Sequence, residues 1–456
     1  MKQIARTKNA WSSRPTFLLA AIGGAVGLGN LWRFPYIAGE YGGGAFVIVY
    51  LGFVFLLGAP LMAAELLIGR RGHQSPVNSI ATLVKEQNAH PIWKLIGWIS
   101  ILVPFLGLGY YAVVAAWALD YLSLATLTGF EKFNAASSLE IFNKRINKPI
   151  YQIFLHATFI AVTIWVVANG VNKGIERATK ILMPSLFGVI LILAIYGFFK
   201  GNFSEAAYFL FNPNFEALTP KGILAALGQA LFSLGIGVGL MITYSAYMSK
   251  EYSLQSSAIL ICTGDTIAAL LAGFAIFPIV FASNLDPAQG AGLIFVTLPI
   301  GFGSMPGGQM IGALFFIILL FAAFTSAIGM LEPVVAWLEE KFNAERKKMT
   351  LLAGISIWLV GLGSVLSFNL LSNFEPLSFI GIKTTFFGIV DSFVVNILVP
   401  INAFLITLFA GWVIKEAIVN QEFGESSTTW KVYWRIINKY VLPIALIIVF
   451  LDLITD

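Results

Sequence analysis

"GGAVGLGNLWRFP", residues 23–35, interrupts a stretch that otherwise reads as a membrane helix. Glycine disfavours a helix interior by about 0.8–1 kcal/mol relative to alanine, and arginine is among the costliest side chains to place in lipid. Four glycines, Asn30 and Arg33 in one span therefore need a use beyond crossing the bilayer.

The surrounding composition leaves no doubt that the chain lives in a membrane. Of 456 residues, 58% are hydrophobic and 11% charged, with a mean hydropathy of +0.84, whereas soluble domains carry roughly 25% charged residues. About eleven apolar runs are long enough to cross a roughly 30 Å hydrocarbon core. They fall near 15–37, 44–69, 92–125, 150–169, 175–199, 219–248, 256–283, 308–338, 349–370, 387–414 and 433–453, with no soluble domain left over. The first run follows a basic segment and lacks a short apolar region ending in a cleavage site, so it reads as a retained span.

Lysine and arginine in the short loops set the orientation. With the N-terminus in the cytoplasm, one side collects Lys2, Arg6, Lys8, Arg14, Arg70, Arg71, Lys180, Lys250, Arg346, Lys347, Lys348 and Arg435, among others. The other side holds only Lys132, Lys144, Arg145, Lys148, Lys200, Lys221 and Lys383. The expectation is a multi-pass protein of a bacterial-type cytoplasmic membrane, with an odd span count placing Asp456 outside. The isoelectric point near 9.1 then reflects topology and gives no reason to expect nucleic acid as a partner. Cys262 is the single cysteine, which excludes an intrachain disulfide.

A second glycine-rich interruption, "GQALFSLGIGVGLMITYSAY" at 228–247, lies five spans after the first. Matched breaks fit an inverted repeat of five plus five helices: a first repeat over about 10–200, a second over about 215–418 and an added helix over about 430–454. Unwound backbone at mid-membrane depth persists only where it lines a cavity and finds partners, which makes it a ready ligand for an ion and a zwitterion. Close packing through small residues accounts for glycines alone. It does not account for Asn30, Arg33 and the second break.

The chain resembles the neurotransmitter:sodium symporters, whose bacterial members include amino-acid transporters such as the leucine transporter, the reference example of broken transporter helices. The resemblance covers nearly the whole chain. It rests on "GGAVGLGNLWRFPY" at 23–36, "GGGAF" at 42–46, "GYY" at 109–111, "GQALFSLGIGVG" at 228–239 and "FTSAIGMLEP" at 324–333. It implies an all-α integral membrane fold of about eleven helices, with helices 1 and 6 broken.

Site roles follow from the resemblance position by position. One sodium site is implied at the Ala25 carbonyl, Asn30, Ser233 and Asp265, with the substrate carboxylate. The other is implied at the carbonyls of Gly23, Val26 and Ala322 and the hydroxyls of Thr325 and Ser326. Oxygen-only sets suit a hard alkali cation, although membrane hydroxyls also commonly bond the preceding helical turn. An amino-acid substrate would set its carboxylate on the N–H groups of Leu28 and Gly29 and on Tyr111, and its ammonium near the carbonyls of Ala25, Phe232 and Ser233. Taken alone, Tyr111 reads equally as an interfacial or core tyrosine. The side-chain pocket would use Val26, Gly107, Tyr111, Phe232, Gly235, Val238, Ala327 and Met330. Gly107 and Gly235 remove volume, which implies a large hydrophobic or aromatic substrate.

Aligning on "GFAIF" puts Asp265 where a sodium-ligating asparagine is expected. Ala269, four residues on, stands where other bacterial members carry a glutamate and animal members a chloride-site serine. A carboxylate near Tyr50, Gln229 and Ser233 would supply the charge that chloride supplies elsewhere, predicting chloride-independent transport and a proton on the empty return step. A one-turn slip of the alignment would instead leave Asp265 facing cytoplasmic water. For the outer gate, Arg33 is expected to pair with Asp391, above Tyr111 and Phe232. For the inner gate, Lys8 and Glu340 form the ion pair and Trp11 anchors against Tyr247. Gly174 and Pro184, nine residues between them, begin the fifth span, where they read either as a site of local unwinding or as a plain kink.

The expected function is sodium-coupled import of a hydrophobic amino acid by alternating access, with two sodium ions and the lipid bilayer as further partners; the oligomeric state is open, with a homodimer admitted. Rival readings are a proton-coupled transporter of the same fold, a sensor that does not transport, a channel and a membrane enzyme. The last would want a cluster of acids, histidines or a metal motif, and His73, His90 and His156 are scattered.

Overall fold

The computed structural model describes residues 10–287 and 292–455. The described residues form helices and connecting loops. Two stretches, α1 (Arg14–Ala25) and α2 (Gly29–Glu40), meet at a 52° bend. There follow α3 (Gly44–Gly72), α4 (Pro91–Leu127), α5 (Pro149–Ala168) and α6 (Val171–Lys200). A second divided span is α7 (Pro220–Ser233) and α8 (Leu240–Ser245). The chain continues as α9 (Leu254–Ala282), α10 (Gly308–Phe342), α11 (Arg346–Leu366), α12 (Phe386–Val413) and α13 (Thr428–Asp452).

Among the described residues, nine helices are individually long and apolar enough to span, and the bent pair makes ten. The remaining expected span is the α7–α8 pair, whose halves of 14 and 6 residues are each too short to cross alone. Its break is dictated by backbone conformation: Gly235, Gly237 and Gly239 have φ of +63°, +82° and +81°, a region that only glycine adopts without penalty.

The two broken spans lie inside the bundle, where they position the site. α1 packs on α9 and α10, α10 runs along α4, and α8 sits against α3 and α10. Outward-facing Leu56, Trp165, Phe199 and Ile444 are exposed, on the apolar surface that lipid covers. Helix ends turned inward find partners. Arg435 Nη1 donates to the carbonyls of Ala410, Gly411 and Ile414 at 3.1, 3.0 and 2.7 Å, closing the end of α12, where a cation also complements the helix dipole.

Candidate functional site

Between the two breaks lies a cavity of about 100 Å3. Of the residues expected around the substrate, Ala25, Leu28, Gly29, Gly107, Tyr111, Phe232, Gly235, Val238 and Met330 line it. Val26, Ser233 and Ala327 are not on its wall and lie buried behind it. Sequence reasoning missed Val103 on α4 and Val394, Val395 and Val399 on α12. Valines on an apolar span carry no mark that distinguishes a pocket wall from a lipid face. A side chain at Gly107 would stand 3.8 Å from Met330 Sδ and 3.9 Å from Val394 Cγ1, so the glycine leaves ordinary unfilled space. Gly235 is open in the same way, with only the Gly24 carbonyl at 4.0 Å, but its positive φ restricts what could replace it.

The polar end of the cavity is at the first break. Tyr111 carries a buried hydroxyl with no hydrogen-bond partner among the described residues. It stands 3.2 Å from where a Cβ on Gly27 would lie. The backbone of Leu28 and the hydroxyl of Ser326 lie beside it. An unsatisfied buried hydroxyl costs about 1–3 kcal/mol; at the head of α2, Asn30 N and Leu31 N share the Gly27 carbonyl at 3.2 and 3.3 Å. The Tyr111 hydroxyl thus marks the polar end of an otherwise apolar chamber.

Beside this point, α2, α7 and α9 bring Asn30, Ser233 and Asp265 together, all at most 1% exposed. Asn30 Oδ1 accepts from Gly27 N at 3.0 Å, while Nδ2 donates to Ser233 Oγ at 2.9 Å, to Asp265 Oδ1 at 2.8 Å and to the Asp265 carbonyl at 3.0 Å. Ser233 Oγ donates to Asp265 Oδ2 at 2.7 Å. Asp265 is thus fully buried at the first break and does not face cytoplasmic water. Tyr50 and Gln229 are buried in the same region: Gln229 Nε2 donates to the Gly29 carbonyl at 2.9 Å, and the Tyr50 hydroxyl lies beside Ser233 and Asp265.

The second oxygen set forms between α1 and α10. Gly23 lies against Thr325, whose Cβ is 3.3 Å from where a Cβ on Gly23 would lie. The Thr325 hydroxyl donates to the carbonyls of Phe321 and Ala322, both at 3.0 Å, and Ser326 Oγ reaches the Val26 carbonyl at 3.3 Å. Thr325 therefore takes the back-bond that the sequence left open, and Ser326 bonds across to the break. Among the described residues no three His, Cys, Asp or Glu side chains group to hold a metal ion.

The second break is held from both sides by residues that sequence reasoning missed. Gly237 N donates to Glu65 Oε1 at 2.6 Å, and the Gly237 carbonyl accepts from Asn402 Nδ2 at 2.7 Å. Asn402 Nδ2 also donates to Ser100 Oγ at 2.9 Å. Glu65 and Asn402 are fully buried, and Glu65 Oε2 and Asn402 Oδ1 have no partner among the described residues. An acid within an apolar span is a signal in itself and could have pointed to Glu65.

The expected outer ion pair is not formed. The Arg33 guanidinium lies over the Phe232 ring, 4.5 Å from its centroid, and no direct salt bridge joins it to Asp391, which sits near Tyr110. Stacking on the aromatic face, with Asp391 as a more distant countercharge, satisfies the arginine at the cavity's outer edge. On the opposite side, Lys8 lies outside the described residues. Its expected partner Glu340 accepts from Ser75 N at 2.9 Å, from the Ser75 hydroxyl and from Asn78 Nδ2 at 2.6 Å. Trp11 Nε1 donates to the Tyr244 carbonyl at 2.8 Å, and its ring is 5.3 Å from Tyr244 and 6.5 Å from Tyr247. Tyr247 OH donates to Glu332 at 3.0 Å, and Glu332 pairs with Arg346. Gly174 lies in the wide first turns of α6, packed under the Val166 carbonyl, and Pro184 is interior to the same helix. Glu176 there accepts from Ser12 N at 3.1 Å and Lys180 at 2.6 Å, tying the chain's entry segment to α6.

The family model described as "Sodium:neurotransmitter symporter family" matches residues 8–136 and 137–456. An uncharacterized sodium-dependent transporter of Bacillus subtilis (strain 168) is 37% identical over 447 residues, covering 97% of each chain. A second, from Haemophilus influenzae (strain ATCC 51907 / DSM 11121 / KW20 / Rd), is 31% identical over 455 residues, covering 98% of each. The crystal structure of MhsT in complex with L-phenylalanine superposes with a TM-score of 0.87 at 40% identity, over 97% of this chain and 99% of that one. Two broken spans around a cavity, with oxygen sets at the first break, are what this ancestry requires: the chain is a multi-pass, sodium-dependent transporter of the sodium:neurotransmitter symporter family.

Proposed function

We propose that the protein imports large hydrophobic amino acids, aromatic ones above all, together with two sodium ions and without chloride. The observation that carries this reading is the Tyr111 hydroxyl, buried without a hydrogen-bond acceptor among the described residues at the polar end of a chamber also lined by Val103, Gly107, Val238, Met330 and Val394. A carboxylate supplies the missing acceptor and an apolar side chain fills the rest. The likeness to MhsT, solved with L-phenylalanine, supports an aromatic occupant.

Sodium enters as co-substrate. At the first site the Asn30 amide N–H2 faces the oxygens of Ser233 and Asp265, occupying the place of a cation. Turning the amide presents Oδ1 in its stead, giving an alkali ion three side-chain oxygens plus the Ala25 carbonyl and the substrate carboxylate. At the second, the carbonyls of Gly23, Val26 and Ala322 join the hydroxyls of Thr325, which gives up its back-bonds, and Ser326, which gives up its bond to the Val26 carbonyl, for the ion. Ion and carboxylate together stabilise the closed state, and the sodium gradient sets the direction. Asp265, beside Tyr50 and Gln229, supplies the negative charge at the first site. Arg33, Asp391, Tyr111 and Phe232 close the outer side; Trp11, Tyr247, Glu340, Lys8 and the head of α6 close the cytoplasmic side, where the N-terminus lies.

Equilibrium binding of labelled L-phenylalanine to the purified protein tests this. Saturable binding in sodium chloride and sodium gluconate alike, absent in potassium, is expected. Binding in potassium equal to that in sodium would overturn the sodium sites, and a requirement for chloride would overturn the role of Asp265.

A further inference from the structure

The unwound residues between α7 and α8 have almost no helical ladder: Gly235 N reaches the Phe232 carbonyl at 3.1 Å and Ile236 N the Leu231 carbonyl at 3.3 Å. What holds the next peptide comes from elsewhere in the fold. The Gly237 carbonyl rests on Asn402 of α12, and the other contact of that amide is Ser100 of α4. Both helices also wall the cavity, α12 through Val394, Val395 and Val399 and α4 through Val103 and Gly107. Gly235, Ile236 and Val238, on either side of the clamped peptide, line it as well. The approach is close: the Val399 carbonyl is 2.8 Å from where a Cβ on residue 237 would lie.

We propose that Asn402 is a positioning residue for substrate selection, holding the Gly237 peptide back against α12 so that the chamber keeps the depth an aromatic side chain needs. A buried carbonyl that loses its donor seeks another partner, and the open space beside residues 235–238 is the cavity. Without the amide, the peptide turns inward and takes room that a phenyl ring requires and a small branched side chain does not. Asn402 lies neither on the cavity wall nor in either oxygen set, so sodium activation should be untouched. The idea rests on the amino-acid reading given above.

The test uses the full chain, purified and reconstituted in vesicles, with KM for L-phenylalanine and for L-valine measured in the parent and in Asn402→Ala. The expected result is a rise of about tenfold in the ratio of the phenylalanine KM to the valine KM, with the sodium activation curve unchanged. An unchanged ratio, or both KM values rising by one factor as the melting temperature falls, overturns the proposal and leaves Asn402 a packing residue. Should Asn402→Ala not be recovered from membranes, Ser100→Ala is read in the same way. It removes only the oxygen that orients the amide, and a ratio equal to the parent's overturns the proposal. A parent that takes up neither amino acid refutes the substrate reading itself, whereas a parent that takes up both with an unmoved ratio refutes only the clamp.

Discussion

Replacing Gly107 with alanine puts one methyl group at the wall of the chamber. That methyl would lie 3.8 Å from Met330 Sδ and 3.9 Å from Val394 Cγ1, ordinary contact distances, so the folded protein need not move to admit it. Helix propensity favours the change by about 0.8–1 kcal/mol. The effect therefore falls on the substrate. A ring that fills the parent chamber meets an overpacked wall, at a cost of about 1–3 kcal/mol, which is about 5- to 150-fold in affinity. A smaller side chain such as that of valine leaves space, and the methyl contributes about 0.8 kcal/mol of new contact, about fourfold tighter. Competition of unlabelled phenylalanine and valine against a labelled substrate in vesicles gives both constants from one preparation. Affinities for the two that fall in parallel, or do not change, would refute the assignment of Gly107 to the side-chain pocket. Gly235→Ala serves as contrast. At φ +63° the new side chain strains the backbone whatever the substrate, and both affinities should fall together.

Three further outcomes follow from the site. Asp265→Asn keeps the shape and removes the charge, so uptake should become chloride-dependent; normal, chloride-insensitive uptake would contradict the surrogate role. Thr325→Val deletes a hydroxyl of the second oxygen set and should raise the sodium concentration for half-maximal uptake by about tenfold, with the affinity for amino acid at saturating sodium retained; an unchanged sodium curve would remove Thr325 from the site. Trp11→Ala deletes a side chain only 5% exposed, together with its bond to the Tyr244 carbonyl, at about 3–5 kcal/mol of cytoplasmic-side packing. A single cysteine introduced into the cytoplasmic pathway should then label faster. Cys262 is buried and does not confuse the reading; an unaltered labelling rate would contradict the inner-gate role.

The spans were legible because lipid imposes length and composition on every helix, and both breaks because glycine is costly wherever a helix should continue. Boundaries shifted by a few residues, as where the run read at 433–453 begins at Thr428. Polar residues within the spans were legible too: Asn30 and Asp265 meet, with Ser233, within hydrogen-bonding distance. What escaped was tertiary. Val394, Val395 and Val399 look like lipid-facing valines until α12 is seen to turn them inward, and Asn402 bonds a backbone 165 residues away, which no local pattern encodes. Glu65 did carry a local signal, a lone acid in an apolar run. The outer gate misled for another reason. Opposite charges invite a direct pair, but the Arg33 guanidinium finds the Phe232 face nearer than Asp391.

Concentrative uptake into vesicles tests the central claim most directly. The purified protein is reconstituted with an inward sodium gradient, or with potassium in its place, and offered labelled phenylalanine. Sodium-driven accumulation above the external concentration, abolished in potassium and when the gradient is collapsed, is the result expected. Equal accumulation in potassium driven by a proton gradient, or none above protein-free vesicles from folded protein, would contradict a sodium-coupled amino-acid transporter.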